Sequence, residues 1–329
     1  MNAWQRWHID KPLFFALLTL TALSTLVVYS ASAQSVATVT QHLIRMTLGY
    51  VLLIGVAQIR PENFARIAPF VFFAGVGLLG AVLAVGTISK GAQRWLNLGL
   101  FSFQPSEIMK LGLPLMLAWY FARKPLPPTL LQTTIGGIFI LVPTLLIADQ
   151  PDLGTAMMTM MAGLAVLFIA GMSWRTIVVV VASAGAAVPL LWNQLHDYQR
   201  QRVLTMLDPT SDPLGTGYHT LQSMIAVGSG GFYGKGWLKS TQAHLDFLPE
   251  AATDFIFAVF AEEFGLIGIV VLLSIYLFIV TRGLMIAFYA QESFPRLLAG
   301  GLTLIFFFYF FINMGMVTGI LPVVGVPLP

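Results

Sequence analysis

Two carboxylates in the second half of the chain have a spacing that suits acid–base chemistry. Glu250 and Asp254 lie in the run FLPEAATDFIF, which begins at Phe247. Because proline is tolerated in the first turn of a helix, Pro249 predicts a helix in which the two carboxylates share a face. Two carboxylates one turn apart and close to hydrocarbon raise the proton affinity of at least one of them. Such a group can abstract a proton near neutral pH, so the pattern predicts Asp254 as a general base.

An acidic first turn that complements the helix dipole is the alternative interpretation of this pair. It explains Glu250 better than Asp254, because Asp254 is followed at once by Phe-Ile-Phe. Both interpretations stay open on the sequence alone.

A glycine-rich stretch precedes the carboxylates. Seven glycines lie between Gly215 and Gly236, and Lys235 and Lys239 accompany them. Glycine-rich backbone lets N–H groups approach an anion closely, so an anionic ligand with these lysines as cationic support is one interpretation. The stretch is not a Walker motif, because Gly-Lys is not followed by Ser or Thr. A flexible linker is the alternative.

Between the glycines, residues 218–227 have an amphipathic pattern. Leu221, Met224 and Ile225 form an apolar face opposite Gln222 and Ser223. The pattern predicts a short helix that lies on the membrane surface or re-enters it.

Ionisable residues also occur within or beside long apolar segments, where they are functional candidates. Glu107 and Lys110 are three residues apart and can pair on a face that turns inward. With Asp152 and Arg45 we expect them to form a mixed-charge cluster at the outer mouth of a helical bundle. A structural ion pair that fixes helix register is the alternative for Glu107 and Lys110.

A loop before these residues carries Lys90, Arg94 and Trp95. Such residues commonly anchor a chain at the membrane interface, and Arg94 could instead bind phosphate. The five histidines show no metal-ligand spacing.

The elements that must position these residues are membrane helices. The chain has 329 residues, is 57% hydrophobic and contains only 9% charged residues, whereas a soluble domain has about 25%. Its 17 lysines and arginines are dispersed, which argues against a nucleic-acid partner. We predict an all-α, polytopic membrane bundle of about nine spans, at residues 13–33, 43–59, 64–86, 105–122, 129–148, 155–171, 174–195, 252–280 and 296–320.

The loop charges predict a cytoplasmic N-terminus, because cations in short loops are more abundant on that side. We expect one transmembrane domain over residues 1–329, with residues 196–250 as a long extracytoplasmic loop before the eighth span. The apolar, proline-rich ending suggests truncation before a tenth span.

Several motifs together resemble one known family, the SEDS proteins of shape, elongation, division and sporulation. They cover nearly the whole chain in order and read GAQRW from Gly91, QPSE from Gln104, QPDLGT from Gln150, QS from Gln222, GSGG from Gly228, FLPE from Phe247 and TDF from Thr253. The sequences ISK at Ile88 and DYQRQR at Asp197 resemble the elongation branch more than the division branch.

The resemblance implies a peptidoglycan glycosyltransferase that polymerises lipid II at the outer face of the cytoplasmic membrane, among membrane lipids. The family works with a class B penicillin-binding protein. Its essential aspartate corresponds to Asp254, and its polar cavity residues correspond to Glu107, Lys110 and Asp152. The family continues into a further motif and a tenth helix that this sequence lacks.

The residues are compatible with that chemistry. The donor sugar leaves as a polyprenyl pyrophosphate, whose growing charge must be neutralised. Arg45, Arg94, Lys110 and Lys235 are candidates, as is a divalent cation (Mg²⁺ or Mn²⁺) whose protein ligands are unknown. One carboxylate is enough as a base for a single inverting displacement.

Two other functions suit a chain of this kind. One is a flippase or transporter that moves a lipid-linked precursor, although its polar groups would extend through the full membrane depth. The other is a non-catalytic membrane scaffold for the penicillin-binding protein.

Overall fold

The computed structural model describes residues 7–89, 92–97, 102–192, 197–211, 215–245, 247–248 and 250–329. Lys90 and Pro249, to which the sequence assigned an interface anchor and a helix start, lie outside the described residues.

Among the described residues, nine helices of 17 or more residues lie at the positions of the nine predicted segments. They are α1 (Lys11–Ala31), α2 (Val36–Ala57), α3 (Pro61–Val85), α4 (Pro105–Ala122), α5 (Leu130–Asp149), α6 (Leu153–Ile169), α7 (Trp174–Trp192), α11 (Ile256–Tyr289) and α12 (Ser293–Val317). The largest differences are at the start of α2, which is Val36 rather than residue 43, and at the end of α11, which is Tyr289 rather than residue 280.

Within the described residues, six helices are long and apolar enough to cross a membrane, namely α1, α2, α3, α5, α11 and α12. This property confirms a mostly helical, multi-pass membrane protein. The full count of nine spans and the position of the N-terminus stay predictions.

The segment predicted as a long loop contains further helices. They are α8 (Asp197–Leu207), a 3₁₀ turn (Pro209–Ser211), α9 (Thr216–Ser229) and α10 (Thr241–His244). The short helix expected over residues 218–227 is therefore present as α9.

A small antiparallel sheet departs from the all-α prediction. Its strands are β1 (Thr87–Ser89), β2 (Ala92–Asn97) and β3 (Ser102–Phe103), in the order β1-β2-β3. Strands of two to six residues are too short to give a clear alternating pattern in the sequence. The sheet lies just before α4 in the chain, and β2 carries Arg94.

The chain forms two compact units. The first contains residues 1–59, 196–282 and 309–329, and the second contains residues 60–195 and 283–308. In the second unit, a buried core of Met109, Leu113 and Leu117 lies between α3, α5 and α6. The helices approach so closely there that a Cβ on Gly163 would overlap the Ile140 side chain.

In the first unit, Tyr276 of α11 stacks on Phe310 of α12 with ring centroids 4.7 Å apart. Arg282 donates to the Asp10 carboxylate over 2.7 Å, and this hydrogen bond holds the pKa of Asp10 below its usual value. Asp10 also caps α1, accepting from the Leu13 N–H at 3.0 Å. The N-terminal helix start is thus tied to the end of α11 within this unit.

Candidate functional site

Asp254 lies in a turn and not on a helix, which corrects the prediction of a shared helical face with Glu250. Glu250 has a left-handed φ of +59°, which an α-helix cannot contain, and the helix begins only at Ile256. The Glu250 carboxylate accepts from Thr253 Oγ1 at 3.0 Å, and the Thr253 N–H donates to the Glu250 carbonyl at 3.1 Å. Glu250 therefore shapes the turn that presents Asp254.

The Asp254 residue itself is half-buried, between the exposed Thr253 and the buried Phe255. Its carbonyl accepts a hydrogen bond of 2.8 Å from Asn313 Nδ2 of α12. A Cβ placed on Gly325 would lie 3.5 Å from Asp254 Oδ2. The carboxylate thus lies beside the C-terminal segment within the first unit.

Lys235 was predicted to support an anionic ligand, and the structure pairs it with Glu262. Its Nζ lies 2.6 Å from Glu262 Oε1, and Glu262 is fully buried. Thr241 donates to the same Oε1 atom from both its hydroxyl and its N–H, at 2.7 and 3.0 Å. The charge of Lys235 is therefore matched within the protein.

The glycine-rich stretch was interpreted either as a backbone that binds an anion or as a flexible linker, and in the structure the N–H groups at its end donate within the protein. Gly265 has φ +61° and ψ −161° and breaks α11. The Lys235 and Gly236 N–H groups donate to the carbonyls of Glu262 and Glu263, at 2.9 and 3.0 Å. These are the carbonyls that the break frees, so the stretch closes a helix break and does not present those amides to a ligand.

The two faces of α9 are placed differently in the structure. Ser223 is fully buried and donates to the Val317 carbonyl at 2.9 Å, whereas Ile225 is 49% exposed. In a membrane protein an apolar side chain can face lipid, while a hydroxyl must find a partner. Ser223 is thus a structural contact to the end of α12, and its neighbour Gln222 is half-buried.

Arg94 and Asp152 come together in the second unit, as part of a polar cluster. Arg94 Nε lies 3.5 Å from Asp152 Oδ2, and its guanidinium donates to the Pro151 carbonyl at 2.6 Å. Gln104 Nε2 donates to the same Asp152 oxygen at 3.2 Å. Asp152 also caps α6 by accepting from the Thr155 N–H at 3.2 Å, so helix α6 fixes the carboxylate that holds Arg94.

The predicted pair of Glu107 and Lys110 is confirmed, with Nζ and Oε1 2.8 Å apart. Of the two side chains, that of Lys110 turns inward and is 14% exposed, whereas that of Glu107 is 55% exposed. Arg45 is exposed on α2, in the first unit. Arg45 belongs to the first unit and the other members of the predicted cluster belong to the second, so the single outer cluster stays a prediction.

Three polar residues of the first unit were given no role from the sequence. Glu262 and Glu263 lie in an apolar helix and are at most 1% exposed, and Asn313 is fully buried. Glu263 accepts a short hydrogen bond from the Ser30 hydroxyl. The signal that could have identified all three is the same one that singled out Glu107, a polar side chain within an apolar run.

The part of the chain that the structure describes contains no group of three or more His, Asp or Glu residues placed to hold a metal ion. A site of that kind is the usual requirement for a metal held by protein ligands alone. Mg²⁺ bound to a phosphate substrate needs only one or two carboxylates besides the phosphate oxygens.

Comparisons with known proteins identify the family to which this chain belongs. The family model FTSW_RODA_SPOVE, described as cell cycle protein, matches residues 11–329. Peptidoglycan glycosyltransferase MrdB of Escherichia coli (strain K12) is 53% identical over 327 residues, which cover 99% of this chain and 88% of that protein. Peptidoglycan glycosyltransferase RodA of Treponema pallidum is 30% identical, over 97% of this chain and 92% of that protein.

Two solved structures are also similar. A chain of a peptidoglycan synthase complex, described for the structural coordination of polymerization and crosslinking, has a TM-score of 0.82 and 30% identity, covering 97% of this chain and 90% of that chain. The crystal structure of Thermus thermophilus rod shape determining protein RodA has a TM-score of 0.71 and 26% identity, over 97% of this chain and 88% of that chain.

Proposed function

This chain belongs to the FtsW/RodA/SpoVE family of cell cycle proteins, and we propose that it is a peptidoglycan glycosyltransferase that polymerises lipid II during cell elongation. The observation that carries the proposal is the 53% identity to the E. coli glycosyltransferase MrdB over 99% of the chain. The proposed membrane is the bacterial inner membrane, with the active site on its outer face.

In the proposed reaction, the 4-hydroxyl of the acceptor sugar attacks C1 of the donor sugar. The new C1–O bond forms as the bond from C1 to the pyrophosphate oxygen breaks, with inversion at C1. Asp254 takes the proton of the attacking hydroxyl, and the polyprenyl pyrophosphate leaves without needing protonation. Asp254 is half-buried, and its turn is held by Glu250 and Asn313. This supports the role, because a general base must be both accessible and fixed.

The growing negative charge of the pyrophosphate needs cations. We propose Arg94, Lys110 and Arg45 for this task. Lys235 is omitted because its partner Glu262 is fully buried, whereas Glu107, the partner of Lys110, is 55% exposed. The side chain of Arg94 is 30% exposed and its guanidinium is oriented by Asp152, so it combines access with a fixed position.

We also propose that a divalent cation, Mg²⁺ or Mn²⁺, binds chiefly through the substrate's pyrophosphate oxygens. It would add positive charge at the leaving group. Polymerisation should then stop with excess EDTA and resume when Mg²⁺ or Mn²⁺ is restored. Full activity in EDTA would contradict this proposal.

The proposed partner is a class B penicillin-binding protein, which would cross-link the strands that this chain makes. The support is the similarity to a chain of a peptidoglycan synthase complex described for polymerization and crosslinking.

The test is polymerisation of labelled lipid II by the protein reconstituted with its proposed partner in vesicles. We expect Asp254→Asn to lower the rate at least about 100-fold, the smaller end of the range for general-base catalysis. The matched control is Asp208→Asn, which removes an exposed carboxylate from the same part of the chain and should leave the rate unchanged.

The other outcomes separate the alternatives. An Asp254→Asn variant with the wild-type rate would contradict Asp254 as the base. A wild-type protein that transfers labelled lipid II across the vesicle membrane without making glycan chains would be a flippase. A wild-type protein that does neither, but binds the partner, would be a scaffold.

A further inference from the structure

Asn313 is a polar side chain in one of the most apolar parts of the chain. It lies in α12 between Ile312 and Met314 and is fully buried. A buried amide without partners costs free energy, so its hydrogen bonds indicate what holds it there. Its Nδ2 atom donates twice, to the Asp254 carbonyl at 2.8 Å and to the Val326 carbonyl at 2.7 Å.

The first of these hydrogen bonds acts on the turn that contains the proposed base. Residues 250–255 are outside the regular hydrogen bonds of α11, which begins at Ile256. The peptide that follows Asp254 is therefore fixed by a side chain of another helix, 59 residues away in the sequence. Because the backbone of a residue directs its Cα–Cβ bond, this hydrogen bond also orients the Asp254 carboxylate.

The second hydrogen bond acts on the chain that lies beside the carboxylate. Val326 precedes Pro327 and follows Gly325, whose φ is +69°. The position of a Cβ on Gly325 is 3.5 Å from Asp254 Oδ2. One NH₂ group thus links the Asp254 turn to the segment beside it.

We propose that Asn313 is a positioning residue for Asp254, which holds the carboxylate in the orientation needed to accept the proton of the attacking hydroxyl. This inference rests on the proposed function. It assigns Asn313 no contact with the substrate, so its loss should affect the chemical step more than substrate binding.

The main variant is Asn313→Leu, which keeps a similar volume and removes both donors. We expect kcat for lipid II polymerisation to fall about 10- to 100-fold, since misplacement of a catalytic group by about 1 Å can cost a factor of that order. The KM for lipid II should change less than about threefold. Should Asn313→Leu fail to fold, Asn313→Ala removes the same two donors with a smaller side chain and should give a similar fall in kcat with the same unchanged KM.

The matched control is Thr318→Val, at the end of the same helix. The Thr318 hydroxyl donates only to carbonyls of its own helix end, Met314 and Gly315. This variant should keep the wild-type kcat, and size-exclusion chromatography should show that all the variants are equally folded.

A double variant distinguishes positioning from general weakening. If Asn313 acts through Asp254, adding Asn313→Leu to Asp254→Asn should not lower the residual rate further. A wild-type kcat in Asn313→Leu, a rise in KM alone, or an equal loss in the Asp254→Asn background would each overturn the proposal. If Asp254→Asn itself is active, the proposed base is wrong, and that result is distinct from a failure of Asn313 alone.

Discussion

Glu262 is a fully buried carboxylate in a membrane-spanning helix, and five donors surround it. They are Lys235 Nζ, the hydroxyls of Ser240 and Thr241, and the N–H groups of Thr241 and Gln242. Burial of a charge is costly unless it is paired and hydrogen-bonded, and this set meets both requirements. One side chain thereby ties the start of α10 and the glycine-rich stretch to α11.

Replacing Glu262 with Gln should therefore destabilise the protein. The amide has nearly the same shape, but it lacks the charge and turns an NH₂ group towards donors. We therefore expect the free energy of unfolding to fall by about 1–3 kcal/mol. Thermal unfolding of the detergent-purified protein measures the effect. Glu292→Gln is the control, because Glu292 is exposed and surface changes usually stay within about 0.5 kcal/mol. Equal unfolding temperatures for the two variants would contradict the structural role of Glu262.

At the scale of elements, the break in α11 and the glycine-rich stretch form one hydrogen-bonded arrangement. Leu266 and Ile267 N–H donate to the carbonyls of Gly231 and Phe232, at 2.9 and 3.2 Å. The stretch thus supplies acceptors on one side of the break and donors on the other. Irregular backbone within a membrane helix is tolerated where other protein groups satisfy it, which explains why this segment needs glycine at several positions.

Gly265→Ala should disrupt this hydrogen-bonded arrangement. Gly265 has a positive φ, and a Cβ there would overlap the Gly234 N–H group. We therefore expect the free energy of unfolding to fall by at least about 2 kcal/mol. Gly77→Ala in α3 is the control, because a Cβ on Gly77 meets nothing within 4 Å. Protease resistance of the purified variants is the measurement. Gly265→Ala as resistant as Gly77→Ala would mean that the break is not required.

At the scale of the whole molecule, the sidedness of the chain decides where its chemistry takes place. The inference of an outer active site depends on the charges of the short loops, which favour a cytoplasmic N-terminus. The chain contains no cysteine, so labelling of a single introduced cysteine reports its side of the membrane without a background from native cysteines.

We expect Asp208→Cys in intact spheroplasts to react with a membrane-impermeant maleimide. Glu62→Cys should react only after the membrane is permeabilised, because Glu62 follows the second predicted span on the inner side. Both positions are exposed, so burial does not limit either reaction. The reverse pattern of labelling would invert the topology and exclude an outer Asp254.

The sequence by itself determined where the long helices lie, since runs of about 20 apolar residues are local and few structures other than a membrane helix fit them. It also determined that Asp254 is the candidate base, through the family motif around it, and that Glu107 pairs with Lys110, because they are one helical turn apart.

Only the tertiary structure decided how these residues are held. Glu250 takes a left-handed φ that ends the predicted helical face, and Asp254 is fixed by Asn313, which is distant in the sequence. The glycine-rich amides serve the broken helix, and Ser223 turns inward to Val317. Each of these depends on a hydrogen-bond partner contributed by another part of the chain, and neither hydrophobic periodicity nor residue spacing carries information about such partners.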